Sequence, residues 1–393
     1  MRHHRFIAPL LPIAFFLIIG IVTGYYLFLQ AEILLGLMIV SVILSLLLHR
    51  FPYCQTFFIY LTTLLTGCWL IQHPIPDIPM IHAATTRMLS YRTHLVEELQ
   101  TLPDEASAII SAMSLGDKSM LTKETREVFN ITGAGHILAL SGLHLGIIYL
   151  TISFLIRNYR WRIVSQVTTL LAIWAFAFLV GMTPSVVRAA SMLTVYGLLS
   201  LGYRQKMSVN VLAFTAIVML IIHPHALFEI SFQMSFLAVL AILLFYPPLY
   251  GLISEQWLME HRIIRWLWGM TAVSLTAQIG VAPLIAFYFH RFSTYFLLSN
   301  FVVIPCAYLI LISTLLFLVT HLSFIATFLS AVTTLMYQAL LWIAELPFAT
   351  IEGLYPSVLQ TTLVYFFILL FFYSLIFYYF CSSKSEIIRK WER

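Results

Sequence analysis

Two histidines and a serine, His136, Ser141 and His144, lie close together in the stretch 133–150, GAGHILALSGLHLGIIYL. The stretch is hydrophobic enough to enter a bilayer, yet it also carries four glycines. Polar groups at membrane depth are costly and mark function by default. The alternative is a helix whose small residues allow close packing and whose histidines merely satisfy neighbours. On a continuous helix Ser141 and His144 are one turn apart and share a face. His136 then sits about 80° from His144, at ~100° per residue. Ser141-Gly142 could instead interrupt the helix and free backbone groups to line a cavity. A metal site needs three or four ligands. Two loosely aligned histidines without an HExxH motif do not make one, so no metal, cofactor or catalytic residue is assigned. A polar lining or a proton relay suits these side chains better.

A second constellation is GMTPSVVRA, residues 181–189. Thr183 suits an N-cap and Pro184 the first helical position. Arg188 follows about one turn later. The positive end of the helix, its free N–H groups and the guanidinium make an anion site from Thr183, Ser185 and Arg188. Alternatively Arg188 snorkels outward to water, which its position near the span edge favours. In LFEISFQMSFLA, residues 227–238, Ser231 and Ser235 share a helix stripe, and Glu229 is a rare acid that could pair with Arg188. Gln278 precedes Pro283, and Asn300 precedes Pro305. Each joins a polar side chain to a helix breaker, as in kinked helices around a cavity. Taken together, these sites point to a pore or a transport site.

The elements that must position them are membrane helices. Of 393 residues, 61% are hydrophobic and only 9% charged. Soluble domains carry about 25% charge. A helix needs about 20 apolar residues to cross the ~30 Å hydrocarbon layer. Twelve segments qualify as spans: 6–29, 31–48, 54–72, 135–156, 162–180, 185–202, 207–222, 227–246, 266–289, 294–319, 323–345 and 357–381. The shortest, 207–222, could be re-entrant. The expected fold is therefore all-α, a polytopic bundle of ten to twelve spans. With the N-terminus inside, 14 of the 21 Lys and Arg fall on one side, and five of the six opposite lie in one long loop. Short loops set orientation by such a bias, so both termini are expected in the cytoplasm. The run from Phe6 is too long for a signal peptide's core and reads as a retained first span. The four cysteines form no CxxC pair, and neither a disulfide framework nor a zinc site is supported.

The long loop, 73–132, opens on the Pro-rich HPIPDIPM. Met88, Leu95, Leu99 and Leu102 then recur near helical spacing, as in an amphipathic helix. A second helix is expected to start at Pro103-Asp104-Glu105 and stop at Gly116, and a third to run from about Thr122 to Asn130. The loop holds eight acids against five Lys and Arg, a poor composition for gripping nucleic acid. The domain reading is a three-span segment at 1–72, an extracytoplasmic linker at 73–132, a membrane domain at 133–383 and a basic tail at 384–393.

TGAGHILALSGLHLGII, GMTPSVVRAASM, FEISFQMSFLAVL, AQIGVAPLIAFYFHRFS and SNFVVIP occur here in one order. That order resembles the membrane-embedded competence domain of ComEC-type DNA-uptake proteins, over roughly Ala106 to Pro305. The resemblance implies a channel that admits one strand of transforming DNA across the bacterial inner membrane. His136, Ser141, His144, Arg188, Gln233, Gln278 and Asn300 match the family's motif positions as conduit or packing residues, and Ser231 joins them as a lining residue. Larger family members resemble three parts: an OB-like domain, the membrane domain and a metallo-β-lactamase-like nuclease. The gap between Leu70 and Ala106 is short for an OB barrel, and 13 residues follow Phe380, so either separate proteins are expected to supply those parts or the membrane core has another job. No GxxxxGK[ST] loop is present, so a cytoplasmic DNA translocase is expected as a partner. An extracytoplasmic DNA receptor, membrane lipids and a second copy of the chain complete the expected partners. Two other function classes compete: a small-anion or lipid-linked substrate transporter, which the Arg188 helix start could serve equally well, and an intramembrane enzyme, which lacks a clear acid partner.

Overall fold

A computed structural model describes residues 9–27, 29–74, 79–156, 162–201, 209–372 and 374. The first helices are α1 (Leu10–Tyr26), α2 (Ala31–Leu47), α3 (Pro52–Gln72), α4 (Pro79–Leu99), α5 (Asp104–Leu115) and α6 (Lys123–Ile131). Next come α7 (Gly142–Leu155), α8 (Arg162–Leu179), α9 (Pro184–Leu201) and α10 (Val209–Ile222). A 3-10 turn at Pro224–Phe228 leads to α11 (Ile230–Tyr250), α12 (Glu255–Glu260) and α13 (Arg262–Phe289). The series closes with α14 (Phe296–Thr320), α15 (Ser323–Ala344) and α16 (Val358–Phe372). Six of these are long and apolar enough to cross a bilayer (α3, α8, α11, α13, α14, α15), and α1, α2, α7, α9, α10 and α16 are shorter apolar helices. Each of the twelve expected segments thus holds an apolar helix, and the chain is an all-α polytopic membrane protein. Strands β1 (Arg291–Ser293) and β2 (Thr350–Glu352), which no sequence pattern announced, pair antiparallel with Phe292 opposite Ile351. Several basic residues used to orient the chain (Arg2, Arg5, Arg157, Arg160, Arg204, Lys206 and those after Ser383) lie outside the described residues, as does the end of the last expected span.

The chain forms two compact units, one from residues 1–92 and 145–236, the other from 93–144 and 237–393. In the first unit α1 and α3 approach very closely. Gly20 and Gly24 lie one turn apart on α1, a GxxxG pair. A Cβ on Gly20 would collide with the Leu64 carbonyl, and one on Gly67 with the Leu17 carbonyl. Without a hydrophobic drive in lipid, such small-residue contacts let backbones meet and gain dispersion energy. Leu17, Ile21, Leu70 and Ile71 build a core there with Leu220, Ala226 and Phe232. Trp174 Nε1 donates to Thr194 Oγ1 at 3.0 Å, tying α8 to α9.

In the second unit α5 starts after Pro103 and ends before Gly116, where expected. Every residue from Ala106 to Leu115 is buried, so the helix is an interior element. Ser114 Oγ donates to Thr314 Oγ1 at 3.1 Å, giving one of its hydroxyls a partner on α14. At α6, Thr122 accepts a bond from the Thr125 N–H at 3.0 Å and so caps the helix. Glu127 on α6 accepts from Arg291 Nη1 of β1 at 2.7 Å.

One expectation is corrected. Residues 133–141 are not the first turns of a span running 135–156; α7 begins only at Gly142. Gly133 holds φ 76°, a left-handed conformation that other residues adopt at a cost. A Cβ there would press on Ser293 and Phe296 at 3.0–3.2 Å, so the backbone must pass close to β1 and α14. The remaining 14-residue helix is about 21 Å long, short of the ~30 Å hydrocarbon layer.

Candidate functional site

Two polar sites emerge, one in each unit. The first is built at the start of α9. The Thr183 carbonyl accepts the first intrahelical bonds, from Val186 and Val187 at 2.9 and 3.0 Å, which places Thr183 at the N-cap as expected. Gly181 and Met182 ahead of it both have positive φ, 86° and 52°. The turn between α8 and α9 is therefore held tightly, and a non-glycine left-handed residue is a cost that the surrounding structure must over-determine.

Arg188 does not snorkel. Its side chain is 2% exposed. Nη2 donates to Ser185 Oγ at 3.0 Å, folding the guanidinium back on its own helix start. Nη1 donates to Ser231 Oγ at 3.3 Å. Nη1 also lies 4.0 Å from Glu229 Oε2, so the pairing weighed from sequence exists at a long distance. At ~4 Å and an effective dielectric of ~20 the attraction is about 4 kcal/mol, from which desolvation must be subtracted. Arg188 Nε is buried with no partner among the described residues. Gln233 does not join this cluster through its amide nitrogen, which donates to the Leu227 carbonyl at 3.0 Å across the entry to α11.

Arg92 belongs to the same turn and was missed as a site residue. The structure brings its Nη1 to 3.5 Å from the Val180 carbonyl, and the same nitrogen lies beside Gly181. Its position i+4 from Met88 was the available signal, but nothing local says which neighbour it reaches.

The second site is the loop 133–141 and the start of α7. Ser141 precedes the helix, and its backbone N–H donates to His144 Nδ1 at 3.3 Å. Ser141 Oγ lies 3.2 Å from the same nitrogen. This is one half of a capping box, the side chain at the third helical position reaching back to the N-cap N–H, with imidazole in the place of the usual Glu or Gln. A backbone N–H can only donate, so Nδ1 accepts and the neutral ring carries its proton on Nε2. His144 is fully buried, and Nε2 has no partner among the described residues. His136 is set the other way. Its Nδ1 donates to the Gly133 carbonyl at 3.0 Å, which leaves Nε2 as acceptor. Opposite tautomers follow for the two rings from backbone partners alone.

Other unpaired polar atoms lie in the same unit. Ser293 Oγ, Ser299 Oγ and Asn300 Oδ1 are buried without partners among the described residues. Asn300 Nδ2 donates to Ser274 Oγ at 3.2 Å, linking α14 to α13. Phe296 faces Gly133, and Ser299 and Asn300 are one turn further along α14. Buried polar atoms left open in this way call for water or a ligand. Gln278 is half-buried on α13. Among the described residues no group of three or more His, Cys, Asp or Glu is placed to hold a metal ion.

The structure thus defines a helical integral membrane protein with a buried cation in one unit and open polar atoms in the other. Residues 113–377 match the competence protein family, and the chain belongs to that family. It is 31% identical over 221 residues to ComE operon protein 3 of Bacillus subtilis, covering 56% of this chain and 27% of that protein. It is 38% identical over 169 residues to an uncharacterized protein of Aquifex aeolicus, covering 43% of this chain and 37% of the other. Recombination protein 2 of Haemophilus influenzae is 24% identical over 207 residues, 50% of this chain and 26% of that protein. The chain therefore spans about a quarter to two-fifths of the length of these relatives. No solved structure matches.

Proposed function

We propose that this protein serves DNA uptake as a passage for one strand of DNA across the bacterial cytoplasmic membrane, with both termini on the cytoplasmic side. Membership of the competence protein family over residues 113–377 carries the reading. The buried Arg188 at a helix start supports it, because a phosphodiester is the charge that such a site would receive. His136, Ser141, His144, Ser231, Gln233, Gln278 and Asn300 are the remaining candidate lining or packing residues.

Elementary energetics set the terms. With a phosphate every ~3.4 Å per strand, ~30 Å of bilayer would hold roughly nine charges. Each bare charge at mid-bilayer costs at least ~2.5 kcal/mol. The strand must therefore run among water and polar groups, and one guanidinium cannot neutralise it. An inside-negative potential opposes entry by about 2.3 kcal/mol per charge per 100 mV. Inward movement requires a cytoplasmic motor, and a separate receptor delivers DNA from outside.

Deletion of the gene tests this. Labelled DNA should still bind the cell surface, while the DNase-resistant fraction disappears. Normal entry of DNA, in a cell with no second copy, contradicts the passage. A second reading, a transporter for a small or lipid-linked anion, is favoured by the single guanidinium at the α9 start, which would hold one phosphate group as well as a strand. Its signature is loss of small-substrate uptake before loss of DNA entry when Arg188 is changed.

A further inference from the structure

Glu229 stands where an incoming phosphate would stand. We propose that its carboxylate is a displaceable internal anion, occupying the field of Arg188 until a phosphodiester takes the guanidinium. The proposal rests on reading Arg188 as a phosphate contact and adds the residue that regulates it.

The geometry separates Glu229 from a permanent partner. Structural carboxylate–guanidinium pairs in buried sites are forked and short, at about 2.7–2.9 Å. Here a single oxygen sits 4.0 Å from a single nitrogen. The guanidinium offers five N–H donors, and two of them go to the hydroxyls of Ser185 and Ser231. Nε stays buried without a partner among the described residues. A buried cation so incompletely paired is stabilised by any anion that can approach closer. Phosphodiester oxygens accept from two guanidinium nitrogens at once, which a single carboxylate oxygen at this distance does not.

Glu229 also has somewhere to go. It is the residue between the 3-10 turn and α11, with an extended backbone, φ −74° and ψ 127°. Its side chain is 35% exposed, against 2% for Arg188. Its second oxygen lies 3.9 Å from His223 Nε2, on a ring that is 63% exposed. The carboxylate therefore bridges two long contacts and is fixed by neither. A small rotation toward His223 and solvent vacates the guanidinium without moving a helix. The same carboxylate keeps weaker anions off Arg188 when no strand is present, which is how an internal competitor confers selectivity.

The test uses the full chain purified in phosphate-free detergent micelles. Three phosphodiester probes are titrated: dimethyl phosphate, a short oligothymidylate, and a short-chain phosphatidylglycerol. Glu229→Gln keeps the shape and removes the charge, and it should tighten dimethyl phosphate binding roughly tenfold, as expected for relief of like-charge repulsion at a half-screened site. Adding Arg188→Gln should abolish that gain. Glu229→Asp withdraws the carboxylate by one methylene and should give an intermediate gain, which keeps the test available if Glu229→Gln folds poorly. Unchanged or weaker phosphodiester binding in folded Glu229→Gln and Glu229→Asp overturns the proposal. A gain for phosphatidylglycerol without one for oligothymidylate upholds the displaceable carboxylate and instead counts against the DNA passage.

Discussion

Arg188 and His144 are both buried polar side chains in the opening turns of apolar helices, and the local chain treats them in opposite ways. His144 is used by the fold. Its Nδ1 accepts the Ser141 N–H and so satisfies one of the donors that every helix start leaves open. Only one neutral N–H remains unexplained. Among the described residues Arg188 bonds side chains and no backbone group. It leans on two hydroxyls and a distant carboxylate, and it keeps a charge buried. A buried group that the fold consumes can be accounted for without a ligand. A buried charge that the fold leaves half-paired cannot, and this is why Arg188 is the stronger claim to function.

That contrast can be broken at His144. His144→Ala removes the cap and should cost about 1 kcal/mol or somewhat more, seen as a lower melting temperature. His144→Gln restores a side chain that can accept the Ser141 N–H. It should recover most of the stability and leave DNA entry near normal. A stable His144→Gln protein that no longer admits DNA would place the Nε2 donor in the passage and remove the distinction between the two sites.

A smaller effect sharpens the other half. Arg92 overhangs the α8–α9 turn through its contact with the Val180 carbonyl. If the start of α9 is the anion site, Arg92→Gln should weaken oligothymidylate binding by a few-fold, about what one partly screened charge contributes. It should also flatten the salt dependence of binding, since one fewer counterion is exchanged. Unaltered affinity and salt dependence would confine the site to Arg188 alone.

Much of this was legible from residue types. Pro103 with Asp104 and Glu105, and the later Gly116, marked both ends of α5 because each acts within one turn of itself. Thr122 marked the start of α6 in the same way. The Ser141–His144 spacing announced their contact. What failed depended on distant partners. Hydropathy carried the fourth span back to residue 135, yet Gly133 must sit against Ser293 and Phe296, some 160 residues away. Near a span edge, snorkelling was the natural expectation for Arg188. Its burial depends on Ser231 and Glu229, which approach only once α11 is in place. The three-residue strands β1 and β2 are too short to carry an alternating pattern. The close α1–α3 packing was present in the sequence as Gly20, Gly24 and Gly67, but which faces meet is a tertiary fact.

The most direct measurement is DNA entry in cells carrying Arg188→Gln at the native locus, scored as DNase-resistant label beside surface-bound label. Loss of a charged hydrogen-bond donor worth ~1.5–3 kcal/mol should lower entry by roughly 10–100-fold. Arg188→Lys, which keeps the charge without the fork, should retain part of it, and surface binding should not change. Normal entry in an Arg188→Gln strain that makes the protein at wild-type levels would contradict the account.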